Sequence, residues 1–352
     1  MALHFSDHEF NRRLGALKAA MKASDLDGML LFRQESMYWL TGYDTFGYVF
    51  FQCLAVTADG DMKLITRAPD LRQAQNTSNI ADIRVWVDKH GSTPHDDLRD
   101  LLAEMGLEHK RLGVEYEAYG LTGRSAMRLN TAMDGFATLV DMSELISGLR
   151  LVKSAEEIVY ARRAAELADN AWDAAVDLSH AGADEGHILA AMQGEVFKGG
   201  GDYPGNEFII GSGSDALLCR YFSGRKMLSD IDQLTLEWAG AYRHYHAAMM
   251  RTIPIGRPRD EHIAMHKACV ESIHACEDAL RPGHTVGGVF DAHARTMDAH
   301  GFQHARMNAC GYSMGTTFAP NWMDWPMFYS GNPVVLKEGM TYFMHMILMD
   351  SD

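Results

Sequence analysis

The chain has 352 residues, with 47 acidic against 32 basic side chains and a formal net charge of −15. This acidity argues against a nucleic-acid or anionic-membrane partner, and a hydrophobic fraction of 47% excludes global disorder. The longest apolar run, 49–56, is interrupted by Gln52 and is too short to span a bilayer. Scattered cysteines, without CxxC, and no visible signal peptide predict a cytoplasmic protein with free thiols.

The first 150 residues alternate between strand-like and helix-like patterns. Ser6 and Glu9 have the spacing of a capping box, and a helical apolar pattern follows them. Predicted strands cover 28–32, 48–57, 62–66, 83–87 and 111–114, and a predicted helix covers 94–105. This alternation indicates an α/β domain at 1–150.

A second domain, 151–352, begins with another capping box at Ser154 and Glu157. Predicted helices follow this box to about Leu178 and cover 187–197, 261–280 and 286–300; predicted strands cover 207–210, 234–238, 249–255 and 340–348. Because the chain stops at Asp352 directly after a predicted strand, we expect the natural domain to continue beyond it.

The segment 236–252 contains the residues with the clearest chemistry. Two predicted strands flank a polar, aromatic turn, and Glu237 lies between Leu236 and Trp238 in the first strand. Burying a carboxylate costs free energy unless the group is paired or functional. Two interpretations stay open from the residues alone: a structural ion pair with Arg251 or Arg220, or a catalytic carboxylate.

Motifs along nearly the whole chain resemble those of the creatinase, aminopeptidase P and prolidase superfamily. They are Leu40-Thr41-Gly42-Tyr43, the KSAEEI segment 153–158, Tyr242, Tyr245 and Arg251-Thr252 in the 236–252 segment, and the segments 311–315 and 339–345. The resemblance implies an α+β protein with an N-terminal α/β creatinase-like domain and a C-terminal pita-bread domain.

The positions that match metal ligands in this superfamily have changed. They hold Glu237, Ala248, Tyr312 and His345, and the last glutamate of the pattern would lie beyond Asp352. Since Mn, Co or Zn needs several oxygen or imidazole ligands at one point, we expect no catalytic metal and no other cofactor, as in the superfamily's metal-free branch.

Within that branch the sequence is most similar to the ectoine hydrolase group, through the stretches 237–242, 311–315 and 200–204. This resemblance implies a homodimer that hydrolyses a non-peptide C–N bond in a small cyclic amidine or amide. The candidate catalytic residues are Glu237, Tyr312, His345 and His246. The candidate substrate-binding residues are Arg220, Tyr242, Tyr245, Trp322, Asp202 and Tyr43.

Glu237 is expected to stabilise a protonated amidine, to attack it or to activate water. Arg220 stands where relatives have a histidine; its guanidinium stays charged and is no general base, although it suits a substrate carboxylate. The base is therefore not identified by the sequence.

Two alternatives remain open at this stage. One is a creatinase-like hydrolase of another small guanidino or N-acyl amino acid, which Arg220 in place of histidine favours. The other is a Xaa-Pro peptidase-like protein that has lost its metal site and only binds a ligand.

Overall fold

The structure, a computed structural model, describes residues 3–218 and 224–350. The chain forms two compact units, Met1–Arg150 and Leu151–Asp352. Each of the four main clusters of buried apolar side chains lies within one unit.

The N-terminal unit is built on a mixed sheet in the strand order β4-β3-β2-β1-β5-β6. Pairing is antiparallel for β1–β2 and β2–β3 and parallel for β3–β4, β1–β5 and β5–β6. The strands are β1 (Gly28–Leu31), β2 (Cys53–Thr57), β3 (Met62–Arg67), β4 (Asp82–Trp86), β5 (Arg111–Val114) and β6 (Thr138–Asp141).

Helices cover both faces of this sheet, and the alternation of side chains along a strand sorts the core into two clusters. Met29 and Leu31 pack on one face and Leu30 on the other. The helices are α1 (Asp7–Ala23), α2 (Gln34–Thr41), α3 (Ala68–Thr77), α4 (Pro94–Glu104), α5 (Gly123–Met133) and α6 (Leu145–Arg150).

Two local predictions in this unit need correction. The strand predicted at 48–57 begins only at Cys53, because Gly47–Val49 forms a short 3-10 turn. Ser6 caps α1 by accepting the N–H of Glu9, but the Glu9 carboxylate binds Arg12 and Arg13, its neighbours on the helix.

The C-terminal unit combines four helices with two three-stranded sheets in its described part. The helices are α7 (Ala155–Leu178), α8 (Glu185–Lys198), α9 (Asp260–Ala279) and α10 (Val286–Ala299). One sheet has the order β7-β8-β9 and the other β11-β10-β12. The strands are β7 (Ile209–Ser212), β8 (Asp232–Tyr242), β9 (Tyr245–Ile255), β10 (Gly311–Ser313), β11 (Asp324–Met327) and β12 (Tyr342–Met344).

Ser154 and Glu157 form the predicted capping box of α7. The strand predicted at 340–348 is shorter than expected, since only Tyr342–Met344 pairs with β10. The two sheets meet at the β8–β9 turn, where the N–H of His246 donates to the carbonyl of Gly315 at 3.1 Å and that of Thr317 to His244 at 3.0 Å.

Helix α7 packs directly on one face of the β8–β9 hairpin. Trp238 donates its indole N–H to the carbonyl of Ala168 at 3.0 Å and stacks on Trp172 at a ring distance of 5.7 Å. A Cβ at Gly240 would meet the backbone carbonyl of Ala164. The close approach of helix and strand therefore requires glycine at this position.

Across 3–218 and 224–350, no helix is both long enough and apolar enough to cross a membrane.

Candidate functional site

The β8–β9 hairpin has two faces, because successive side chains of a strand point to opposite sides. Glu237, half-buried, lies on the face opposite Trp238 and α7. This face, which we call the acidic face, carries the cross-strand pairs Glu237–Met250, Ala239–Ala248 and Ala241–His246.

Tyr242 and Tyr245 pair with each other on the opposite face, towards α7. The Tyr245 hydroxyl donates to the carboxylate of Glu157 at 2.6 Å, and its ring is fully buried. The Tyr242 ring packs edge-on against Tyr160 of α7 at 5.8 Å. Both residues, predicted to bind substrate, thus lie on the face opposite Glu237 and attach the hairpin to α7.

His246 lies on the acidic face, but both of its ring nitrogens are used inside the protein. Nε2 accepts the N–H of Gly205 at 2.8 Å, and Nδ1 lies 2.8 Å from the carbonyl oxygen of His244, to which it donates. Burial, and then the neighbouring His244, lowers the pKa of His246 to about 3. A neutral imidazole with both nitrogens occupied positions the Gly205 loop, and this is the role that the geometry gives to His246, which was predicted to be catalytic.

Tyr312, Trp322 and His345 come together although they lie far apart in the sequence. The indole N–H of Trp322 donates to the Tyr312 hydroxyl oxygen at 2.9 Å, and both side chains are buried. This bond directs the hydroxyl proton of Tyr312 towards another acceptor. The ring of His345 lies 5.9 Å from that of Tyr312. The structure thus gives Trp322, predicted as a substrate-binding residue, a role in orienting Tyr312.

Glu237 borders the buried cluster that contains Tyr312 and Trp322. Ala239, the next residue on its own face, belongs to that cluster, and its cross-strand partner Met250 packs against it. We take the acidic face around Glu237, together with Tyr312, Trp322 and His345, as the candidate site.

Asp202 supports the hairpin turn. Its carboxylate accepts the N–H of His244 at 3.1 Å, and its own N–H donates to the carbonyl of Ala241 at 2.9 Å. The two turn residues, Arg243 and His244, have φ values of 49° and 62°, a left-handed conformation that is unfavourable for their side chains. Asp202, predicted to bind substrate, thus stabilises this turn.

Tyr43 belongs to the core of the N-terminal unit. Its side chain is fully buried, its hydroxyl donates to Gln52 at 3.1 Å, and burial raises its pKa to about 12. The structure thus places Tyr43, predicted to bind substrate, inside the core of this unit. Arg220 lies outside the described residues.

Lys153 is a residue of this region that the sequence reasoning left without a role. It is buried, and its ammonium group donates to the carbonyl of Leu151 at 3.1 Å and to the hydroxyl of Ser313 at 3.4 Å. Ser313 follows Tyr312 in β10, so Lys153 braces the strand that carries the candidate hydroxyl. In the sequence, its position immediately before the Ser154 capping box is the feature that could have drawn attention to this lysine.

The site is poor in metal-binding groups. In the described ranges, no group of three or more His, Cys, Asp or Glu side chains is arranged to hold a metal ion. The cross-strand neighbours of Glu237 are Ile209 and Met250, and the next pair on the acidic face, Ala239–Ala248, has no side-chain donor.

Two family models match the sequence: Creatinase/Prolidase N-terminal domain over residues 13–152 and Metallopeptidase family M24 over residues 160–350. An uncharacterized hydrolase/peptidase of Sinorhizobium fredii is 30% identical and covers 91% of this chain and 84% of that protein. The ectoine hydrolase of Halomonas elongata is 25% identical and covers 97% and 90%. The solved structure of a Xaa-Pro dipeptidase from Bacillus anthracis matches with a TM-score of 0.83 at 20% identity, over 97% of this chain and 91% of that one; at this identity the match shows the fold alone.

Proposed function

We propose that this chain, which belongs to metallopeptidase family M24 with a creatinase/prolidase-type N-terminal domain and a C-terminal pita-bread domain, hydrolyses a non-peptide C–N bond. The proposed substrate is a small cyclic amidine or amide of the ectoine type. Similarity to an ectoine hydrolase over 97% of this chain supports this substrate class. The main observation behind the proposal is that Ala239, Ala248 and Met250, beside Glu237 on the acidic face, offer no carboxylate or imidazole to a metal.

The family name implies a metal, and the described residues of this chain do not fit one. A dinuclear centre needs several carboxylate or imidazole donors that converge on one point. The acidic face offers Glu237, with Ala239, Ala248 and Met250 beside it, and the hydroxyl of Tyr312 is already bonded to Trp322. We therefore derive the reaction from the side chains of the protein.

In the proposed reaction Glu237 stabilises the protonated amidine and accepts a proton from the attacking water. The water oxygen bonds to the amidine carbon, and the Tyr312 hydroxyl donates a hydrogen bond to this oxygen. The hydroxyl of this intermediate then becomes the amide carbonyl as the ring C–N bond breaks. Its proton passes to the departing nitrogen through His345, whose ring lies 5.9 Å from that of Tyr312. Glu237 returns the proton that it accepted, so the nitrogen leaves as an ammonium group.

The test is turnover of ectoine by the full-length protein after chelator treatment, followed by mass spectrometry. We expect a ring-opened product that contains one added water, at the same rate with and without the chelator. Glu237→Gln is expected to lower turnover by about 100-fold or more. Tyr242→Phe, a variant on the α7 face of the same hairpin, is expected to retain wild-type turnover.

Metal-dependent peptide hydrolysis is the competing function, since the matching family is one of metallopeptidases. If the chelator abolishes activity and Mn, Co or Zn restores it, or if a Xaa-Pro dipeptide is cleaved while ectoine is not, the proposal is wrong.

The proposed enzyme acts on its small-molecule substrate as a cytoplasmic homodimer, as the family resemblance implies. Light scattering of the purified chain tests the dimer, and a mass of about 39 kDa, that of one chain, would contradict it.

A further inference from the structure

Three rings lie together at the candidate site, and the proposed reaction uses only two of them. Phe343 pairs directly with Tyr312 across β12 and β10, and the side chains of such a pair lie on the same face of a sheet. The ring centre of Phe343 is 5.3 Å from that of Tyr312 and 5.5 Å from that of His345. Since the rings of Tyr312 and His345 are 5.9 Å apart, the three rings form a triangle in which each contacts the other two.

The two side chains of the proposed reaction are held in different ways. Tyr312 is buried, and the indole N–H of Trp322 fixes its hydroxyl group. His345 is half-buried, and its backbone N–H donates to the carbonyl of Cys310 at 3.0 Å. This bond fixes the main chain, but the imidazole can still rotate about two side-chain bonds. The contact with the ring of Phe343, two residues earlier in the chain, restricts that rotation.

Phe343 is well suited to restrict a neighbouring ring because it is itself packed in the core. Its side chain is 7% exposed and belongs to the buried cluster that also contains Tyr312 and Trp322. Close packing restricts a buried ring to one staggered conformation. The flat face of Phe343 therefore gives the imidazole of His345 a fixed surface to pack on.

We propose that Phe343 is a positioning residue, which holds the imidazole of His345 beside Tyr312 at the spacing that proton transfer needs. The inference rests on the proposed function. Phe343 has no group that gives or accepts a proton, so it acts through His345. Proton transfer requires the imidazole to lie within hydrogen-bond reach of the reacting groups, directly or through one water. A displacement of about 1 Å can lower a rate by about 100-fold.

Phe328 provides a matched control in the same sheet. It directly follows β11, it is completely buried, and its ring lies 4.7 Å from that of Tyr342. Tyr342 precedes Phe343 in β12, so the two side chains point to opposite faces of the sheet. Leucine in place of either phenylalanine keeps an apolar side chain and removes a flat ring. We expect similar decreases in the midpoint of urea unfolding for Phe343→Leu and Phe328→Leu.

The first experiment needs no substrate. The histidine rings of the full-length protein are labelled with ¹³C, the signals of His345 are assigned by their loss in His345→Gln, and NMR relaxation gives the order parameter of each ring. We expect a lower order parameter for the His345 ring in Phe343→Leu, because the imidazole then occupies more than one conformation. The wild-type value is expected in Phe328→Leu.

Kinetics with ectoine then measures the consequence for the reaction. Phe343→Leu is expected to lower kcat by about 10-fold with KM within about twofold of the wild type, and Phe328→Leu to keep the wild-type kcat. In a His345→Gln background, Phe343→Leu is expected to lower kcat no further, because the residue through which it acts is gone. A loss of stability alone would not produce this dependence on His345.

An imidazole of His345 that is as ordered in Phe343→Leu as in the wild type overturns the proposal. So does a further 10-fold loss of kcat when Phe343→Leu is added to His345→Gln. If the imidazole loses its order in Phe343→Leu while the wild-type protein does not turn over ectoine, Phe343 still positions His345, and it is the proposed function that fails.

Discussion

Glu9 shows how strongly one carboxylate depends on its neighbours. Burial by itself would raise its pKa, but hydrogen bonds and charges from Arg12 and Arg13 lower it to about 2, from a usual value of 4.5. Arg13 is completely buried, donates to Glu9 at 2.8 Å, and lies 3.9 Å above the ring of Phe5. The ionised form of Glu9 therefore stabilises the folded N-terminal unit.

Glu9→Gln is expected to lower the free energy of unfolding near pH 7 by about 3 kcal/mol, because Arg13 stays buried without its charged partner. Because the pKa of Glu9 is lowered in the folded protein, its contribution to the free energy of unfolding is complete above pH 4.5. This contribution is lost as the pH falls towards 2. Urea unfolding at several pH values measures the effect. If the difference in free energy of unfolding between variant and wild type stays constant from pH 6 to pH 2.5, the stabilising role of ionised Glu9 is contradicted.

Tyr312 and Tyr245 are both buried tyrosines with a hydrogen-bonded hydroxyl, and we expect their Phe variants to differ. Tyr312→Phe removes the proposed donor to the reacting oxygen and should reduce kcat by about 100-fold. Tyr245→Phe removes the bond to Glu157 and should cost about 1 kcal/mol of stability, with little change in kcat. Parallel measurement of turnover and thermal unfolding separates the catalytic effect from the effect on stability. Equal losses of kcat in the two variants would contradict this prediction.

At the scale of elements, the contact between α7 and β8 organises the C-terminal unit. Trp238 and Gly240 meet the helix backbone directly, and Glu157, near the start of α7, binds Tyr245 in β9. The helix thereby holds the face of the hairpin opposite Glu237.

Gly240→Ala is expected to destabilise the protein by about 3 kcal/mol, because the added Cβ meets the carbonyl of Ala164, which is backbone and cannot rotate away. The matched control is Gly194→Ala in α8, where an added Cβ has nothing within 4 Å. This control is expected to gain about 0.5–1 kcal/mol. Urea denaturation compares them, and an unchanged unfolding midpoint for Gly240→Ala would disprove the tight contact.

At the scale of the whole molecule, the N-terminal unit has one sheet and the described part of the C-terminal unit has two, and each unit has its own buried clusters. The N-terminal unit forms two apolar clusters, one on each face of its sheet, and all of their residues lie within 1–150. A unit with a complete core is expected to fold by itself.

A fragment of residues 1–150 is therefore expected to be folded and to unfold cooperatively in urea. Circular dichroism and a denaturation curve test this, with the intact chain as the reference. A fragment with a gradual transition and little secondary structure would show that this core needs the rest of the chain.

Much of the fold was predictable, because it depends on local patterns. Ser154 and Glu157 mark the start of α7, and helices α4, α9 and α10 follow their apolar periodicity closely. The short elements α2, α6 and β10 were not predicted, since few residues define their pattern and tertiary contacts stabilise them. The extent of β12 was wrong for the same reason.

The family, the two-part α+β fold, and Glu237 as a carboxylate in an apolar strand could all be inferred from the amino-acid sequence. The folded structure was needed to show that Tyr242 and Tyr245 face α7 and that both nitrogens of His246 are occupied. This is because the direction in which a side chain points depends on strand register and on partners far away in the chain. A motif specifies which residues are present, and the packed neighbours determine which of their atoms are left for chemistry.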